Sequence, residues 1–360
     1  MIFNLVSAFS GMDHPEKDML TSVEYEEKIM EFVDMKVGVD YKIYDVDLPQ
    51  SKGHIHTLEA GFDNKVVLVL VHGYAAAAVF YFKVIKELKD HFHIYSIDLF
   101  GLGSSARPKI DNFNFDDIVS FFVEPLEEWR KVLKLENFCL MGHSMGGYIC
   151  SQYYRIKNPP IKCLYLLSPA GFTNKTDEEM EEEKKKAGAL RISFFIWAFG
   201  MFQSRFITPF SFTIFGVKNS ISKYFSSPRL KLTKEQADVF TDYFVSTMQK
   251  SLSGEKALGV LLRFARYSTR PICEFLSEMD KTNRLLVPVR VMYGQTDWMD
   301  AAHSKEINEK LQLHLDIITI PDADHQIIYQ NPQGVAQILK DDKKRGYENI
   351  SKEFNSSRKK

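Results

Sequence analysis

The chain has 360 residues, 45% hydrophobic and 26% charged, the balance of a globular protein with one large domain or one domain carrying an insertion. Its formal net charge of −1 gives no electrostatic case for nucleic acid as a partner. The four cysteines (Cys139, Cys150, Cys163, Cys273) show no C-x-x-C spacing, so neither a disulfide framework nor a zinc site is expected, and no metal is assigned.

In chain order, residues 1–10 are apolar but lack a basic n-region and a small-residue cleavage site, so they read as a frayed terminus and not as a signal peptide. No window of about 18 uninterrupted apolar residues follows, so no transmembrane helix is expected. Residues 23–33 read as a short helix, and 37–46 and 55–60 as edge strands. Val66 to Val71 is apolar at every position, the pattern of a strand covered on both faces in a parallel sheet. It runs into His72-Gly73-Tyr74. A helix over 80–88, a strand over 93–97 ending in Asp98, a helix over 117–133 and a strand over 138–141 come next. Strands follow at 163–167, 289–293 and 317–320, and a helix begins at 332. Strand and helix alternate, which predicts right-handed βαβ units in a doubly wound, mostly parallel sheet.

The alternation breaks between residues 172 and 280. The break opens with a charge run over 177–186, read as a solvated helix face or linker. An aromatic segment follows, with Phe194, Phe195, Trp197, Phe199 and Phe202, then Phe206, Phe210, Phe212 and Phe215. This predicts a mostly helical cap over the carboxyl edge of the sheet, where open α/β sheets bind ligands. The expected organisation is a core of 1–171 and 281–340, a cap of 172–280, and a disordered polar tail of 341–360.

Gly142-His143-Ser144-Met145-Gly146 lies between the predicted strand 138–141 and a helix. The spacing matches the G-x-S-x-G turn that presents a serine hydroxyl above a sheet. Acyl transfer through Ser144 needs a base, a group that orients the base, and donors for the oxyanion. His325, in the loop after the strand 317–320, is the candidate base. The acid follows the strand 289–293. Asp297 at the tip of that turn is the first choice and Asp300 the alternative, with the unchosen one capping the next helix. The backbone N–H groups of Tyr74 and Met145 are the candidate oxyanion hole. His72 and His143 are read as structural.

Asp98-Leu-Phe-Gly101-Leu-Gly103-Ser-Ser-Ala-Arg107-Pro108 resembles the D-x-x-G-x-G-x-S-x-R-P segment of α/β-hydrolases. Further segments narrow the resemblance: Glu127-Glu128-Trp129-Arg130, Ser253-Gly254-Glu255, Thr269-Arg270-Pro271, and Tyr293-Gly294 with Trp298-Met299-Asp300. Over about residues 20–340 they are similar to the subgroup of N-acyl-phosphatidylethanolamine lysophospholipase, cardiolipin-specific deacylase, plant lysophosphatidic-acid acyltransferase and a catalytically silent lipase co-activator. The resemblance implies the α/β-hydrolase fold with a helical cap, no cofactor, and a lipid substrate at a membrane or lipid-droplet surface. It also implies an intracellular place, in the cytoplasm or on the endoplasmic reticulum, lipid droplet or mitochondrion. Two positions depart from the subgroup. Ala75 stands where His-Gly-Phe-Gly ends, and Gln330 stands where the acyltransferase motif H-x4-D has its Asp. The silent member carries Asn for the nucleophile, whereas Ser144 is present here.

Three functions follow as expectations. The first is a serine hydrolase of phospholipid or lysophospholipid acyl esters. The second is a lysophosphatidic-acid acyltransferase using the same acyl-enzyme. The third is a non-catalytic lipid-surface adaptor.

Overall fold

The computed structural model describes residues 20–186, 218–248, 253–263, 266–299, 301–313 and 315–357. Helix α1 (Ser22–Glu31) starts at a capping box: the Thr21 hydroxyl accepts from Glu24 N, while Glu24 reaches back to Thr21 N. Strands β1 (Tyr41–Leu48) and β2 (Gly53–Ala60) form a hairpin, followed by β3 (Val67–Val71), a 3-10 turn (Ala78–Tyr81), α2 (Phe82–Leu88) and β4 (His93–Ile97). Then come α3 (Phe115–Val132), β5 (Phe138–His143), α4 (Met145–Lys157) and β6 (Ile161–Leu167). The insertion carries α5 (Asp177–Lys186), α6 (Lys218–Phe225), α7 (Lys234–Met248), α8 (Leu258–Leu261) and α9 (Ile272–Lys281). The chain returns to the sheet with β7 (Val289–Gly294), α10 (Ala301–Lys310) and β8 (Asp316–Ile320), and ends in α11 (Ile327–Gln330), α12 (Pro332–Arg345) and α13 (Tyr347–Ser357).

The eight strands form one sheet in the order β1-β2-β4-β3-β5-β6-β7-β8, antiparallel at β1/β2 and β2/β4 and parallel elsewhere. In β3, Val69 and Val71 join one buried cluster while Leu68 and Leu70 join the other, on the opposite face. That is why the run reads apolar at every position. Strand order reverses around β3, which lies between β4 and β5, so the crevice at the carboxyl ends of β3 and β5 is where such a sheet offers a site.

Two expectations need correction. The segment 55–60 is not an edge strand: β2 pairs with both β1 and β4. The polar tail is not disordered over its described length. α13 buries Tyr347, Ile350 and Phe354, whose spacing of three and four residues makes one apolar stripe. The apolar residues 1–10 and the aromatic run from Phe194 to Phe215 lie outside the described residues. Helices α6 and α7 of the insertion pack onto segments that leave the carboxyl ends of β3 and β8. Phe240 of α7 meets Phe80 with ring centroids 5.2 Å apart and Tyr329 at 5.9 Å, and Phe225 of α6 meets Phe240 at 5.5 Å. Such edge-to-face and tilted pairs each add about 0.5–1.5 kcal/mol beyond the area they bury.

Candidate active site

Ser144 sits between β5 and α4 with φ 54° and ψ −119°. A non-glycine residue there costs on the order of 1–3 kcal/mol and persists only when its surroundings impose it. The surroundings are tight. Ser144 N donates to Leu167 O at 2.9 Å and its carbonyl accepts from Ala170 N at 3.1 Å. A Cβ on Gly146 would lie 2.3 Å from His72 O, and one on Gly142 2.5 Å from Gly146 O, so both glycines are steric requirements. Ser144 Oγ makes no bond to the helix it precedes.

The hydroxyl meets His325 Nε2 at 3.1 Å, and His325 Nδ1 meets Asp297 Oδ1 at 3.2 Å. The structure therefore brings together three residues that are 181 and 28 positions apart in the chain. Two loops make the meeting possible, those after β7 and β8. A Cβ at Gly294 would come within 2.2 Å of Asp324 O, so glycine at the end of β7 lets the loops touch. The Asp297 carboxylate is wholly buried, and its Oδ1 also accepts from Met299 N at 2.9 Å. Burial pushes this carboxyl up, but the hydrogen bond and charge of His325 outweigh it, so Asp297 lies below the usual carboxylate range. The buried Ser168, just after β6, lies beside this carboxylate, and its hydroxyl lowers the Asp297 carboxyl further. The alternative acid, Asp300, lies outside the described residues.

The neighbouring histidines hold backbone. His143 Nε2 donates to the His325 carbonyl at 2.8 Å, which fixes the loop that carries the base. Burial, and next the neighbouring His325, push the His143 pKa down to about 3, so it is neutral and carries its proton on Nε2. His72 Nε2 accepts from Leu99 N at 3.0 Å, so its proton is on Nδ1 and donates to Gly73 O at 2.7 Å. That bond braces the loop of Tyr74. A Cβ on Gly73 would lie 3.0 Å from Ser144 Cβ, which places this loop against the nucleophile from the β3 side. Met145 is the first residue of α4, where an N–H has no intrahelical acceptor. Ala75 has φ 55°, so replacing the subgroup's glycine leaves the donors of the loop in place and adds backbone strain.

Most of the segments that carry the subgroup resemblance hold the scaffold. Trp129 is buried and donates from Nε1 to Thr57 Oγ1 at 3.0 Å. Glu128 accepts from Gln50 N at 2.7 Å and Ser51 N at 2.9 Å, capping the β1–β2 hairpin. Arg107 Nη1 meets Glu255 Oε1 at 2.6 Å in a pair with side-chain exposures of 5% and 0%. Gly254 N donates to Gly101 O at 2.9 Å, and Tyr74 Oη donates to the Glu255 carbonyl at 3.3 Å. Ser253-Gly254-Glu255 therefore ties the insertion to both the loop after β4 and the Tyr74 loop.

Gln330 also holds structure, since its Oε1 accepts from Asp324 N at 2.5 Å, next to His325. Sequence reasoning missed this brace and missed Trp298, whose ring packs on His325 at 4.9 Å. Only the H-x4 spacing could have flagged Gln330. Glu26, His56 and Asp98 are grouped closely enough to hold a metal ion. Their atoms already have protein partners, however. His56 meets Glu26 at 2.8 Å and Asp45 at 2.7 Å, and the Asp98 oxygens accept from Ala78 N and Ser104 N, both at 2.6 Å.

A family model described as the alpha/beta hydrolase fold matches residues 66–332. A protein of Oryza sativa subsp. japonica named probable 1-acylglycerol-3-phosphate O-acyltransferase is 29% identical over 279 residues, covering 76% of this chain and 66% of its own. The chain thus spans just under two thirds of that relative's length. The Homo sapiens protein named 1-acylglycerol-3-phosphate O-acyltransferase ABHD5 is 25% identical over 283 residues, 77% of each chain. Among solved structures, carboxylesterase CesB of Bacillus subtilis aligns with a TM-score of 0.60 at 14% identity, covering 89% of this chain and 95% of that one. A membrane phospholipase A aligns at 0.59 and 17% identity, covering 89% and 88%. These structural likenesses concern the fold. Among the described residues no helix is long and apolar enough to cross a membrane.

Proposed function

Because the chain belongs to the alpha/beta hydrolase fold family, we propose that it is a serine hydrolase of phospholipid or lysophospholipid acyl esters. The observation that carries the reading is the continuous relay from Ser144 Oγ through His325 to Asp297, at 3.1 and 3.2 Å, on a strained turn. Ser144 Oγ attacks the ester carbonyl carbon while His325 Nε2 takes the hydroxyl proton. The oxyanion is received by the N–H groups of Tyr74 and Met145, each such donor being worth about 2.7–4 kcal/mol of barrier. Collapse breaks the ester C–O bond, and the leaving alcohol takes the proton from His325. Water then repeats the sequence and frees the fatty acid. Asp297 holds the imidazole in its working tautomer and stabilises the imidazolium. The names of these relatives support a glycerophospholipid acyl ester as the substrate class.

Those names also favour a second reading, in which a lysolipid hydroxyl takes the acyl group in place of water. A fluorophosphonate probe tests the acyl-enzyme common to both. Wild type is labelled and Ser144→Ala is not; equal labelling of the two overturns the enzyme reading and leaves a lipid-surface adaptor. Labelled acyl-CoA supplied with lysophosphatidic acid separates the two enzymes. Hydrolysis predicts label in free fatty acid, and label in phosphatidic acid favours transfer.

A further inference from the structure

A cavity of about 870 Å³ opens beside His325. His325 and Trp298 line it from the catalytic side. Arg229 and Lys231 line it from the 3-10 turn Pro228–Leu230 of the insertion, and Asp322 and Asp324 from the loop after β8. The insertion wall is bolted down. Lys83 Nζ donates to Lys231 O at 3.3 Å, and Lys231 Nζ donates to Gln330 O at 2.8 Å. One of the three ammonium protons of Lys231 is used there, leaving two for a ligand. Arg229 is exposed and pairs with no described residue, and the same holds for the Asp322 carboxylate. Trp298 is 47% exposed, and its ring meets that of His325 in a tilted pair with centroids 4.9 Å apart.

The cavity therefore offers two cations, two carboxylates and an open indole face. A phosphomonoester with two negative charges would meet both carboxylates as well as the cations. A phosphodiester carrying a tethered ammonium meets complementary groups at both ends: guanidinium and ammonium donors for the phosphate, indole and carboxylate for the cation. We propose that this cavity is the headgroup subsite for zwitterionic glycerophospholipids or their lysolipids, with the phosphate on Arg229 and Lys231 and the ammonium on Trp298, Asp322 and Asp324. The proposal rests on the acyl-ester reading of Ser144. His325 belongs both to the relay and to the cavity wall, so the cavity adjoins the group that serves Ser144.

The test uses the full chain and the water-soluble headgroup. Glycerophosphocholine should change tryptophan fluorescence saturably and bind at least about tenfold more tightly than glycerol 3-phosphate. Arg229→Gln and Asp322→Asn should each weaken it about threefold, the worth of one exposed charged contact. In turnover, Arg229→Gln should raise the KM for lysophosphatidylcholine about threefold relative to that for p-nitrophenyl butyrate. Equal binding of glycerol 3-phosphate, the absence of a saturable signal, or insensitivity to both substitutions overturns the proposal. The two readings fail separately. A chain that binds glycerophosphocholine but resists fluorophosphonate refutes the enzyme, whereas a labelled chain with no headgroup preference refutes the subsite.

Discussion

Asp297→Asn isolates one physical contribution. A single oxygen, Oδ1, accepts from both Met299 N at 2.9 Å and His325 Nδ1 at 3.2 Å. An asparagine that places its carbonyl oxygen there keeps both bonds, and its NH2 takes the place of Oδ2, where the Ser168 hydroxyl can accept from it. The histidine tautomer is therefore retained, and what disappears is the negative charge facing the imidazolium of the transition state. Two unit charges about 4 Å apart at an effective dielectric of about 20 interact by about 4 kcal/mol. At 1.36 kcal/mol per decade this is about a 10³-fold loss in kcat. Asp297→Ala also removes the orienting acceptor and should reach about 10⁴. The assay is burst and steady-state hydrolysis of p-nitrophenyl butyrate, with urea melts to establish folding. Asp300→Asn should stay within a few-fold of wild type. If Asp297→Asn retains a tenth of the activity, or if Asp300→Asn is the dead variant, the assignment of the acid is refuted.

Ser144→Gly should be about 1 kcal/mol more stable than Ser144→Ala, because only glycine relaxes at φ 54°; a urea melt showing no difference would remove strain from the account. Gln330→Glu keeps an acceptor for Asp324 N and should hold kcat within a few-fold, whereas Gln330→Leu should lower it about ten- to a hundredfold by loosening the His325 loop. His56→Leu strips a buried cation from Glu26 and Asp45 and should cost about 3–5 kcal/mol in denaturant. Burial opposes the charge on His56, but Glu26 and then Asp45 outweigh it and raise its pKa to about 11. A raised pKa means that this stabilisation is complete below pH ~6.5 and fades as pH climbs toward 11, so the gap between wild type and His56→Leu should narrow over that window.

The parts of the site that one strand and its following turn determine are legible in the sequence. Val67–Val71 is apolar throughout because both of its faces are covered, and Gly142 and Gly146 are required by carbonyls 2.5 and 2.3 Å from where their Cβ atoms would sit. Chain order then points to Asp297 and His325. What stays hidden depends on contacts between distant segments. The pairing of β2 with β4 shows no local signature, so 55–60 looks like an edge. The spacing of Tyr347, Ile350 and Phe354 is helical, but the surrounding lysines and glutamates make composition the louder signal. Trp298, Arg229 and Asp322 come to one cavity from three loops, and no spacing along the chain relates them.

Gln330 bears on the choice between water and a lysolipid as acyl acceptor. Counted as a motif position, glutamine where the subgroup has aspartate tells against acyl transfer. In the structure the residue braces the loop of the base: its side-chain oxygen accepts from Asp324 N and its backbone carbonyl from Lys231 Nζ. A carboxylate oxygen could accept the first of these bonds and the backbone of any residue the second, so the substitution conserves the brace on the His325 loop. Hydrolysis and transfer share every step up to the acyl-enzyme, and the same relay activates either acceptor. The preference must then come from which hydroxyl is held beside His325 when the first product leaves. The groups at that place include those of the 870 Å³ cavity, whose lining counts Gln330 beside Arg229, Lys231 and Trp298, so on the proposed reading acceptor choice is a property of this wall as a whole and of how far it excludes water.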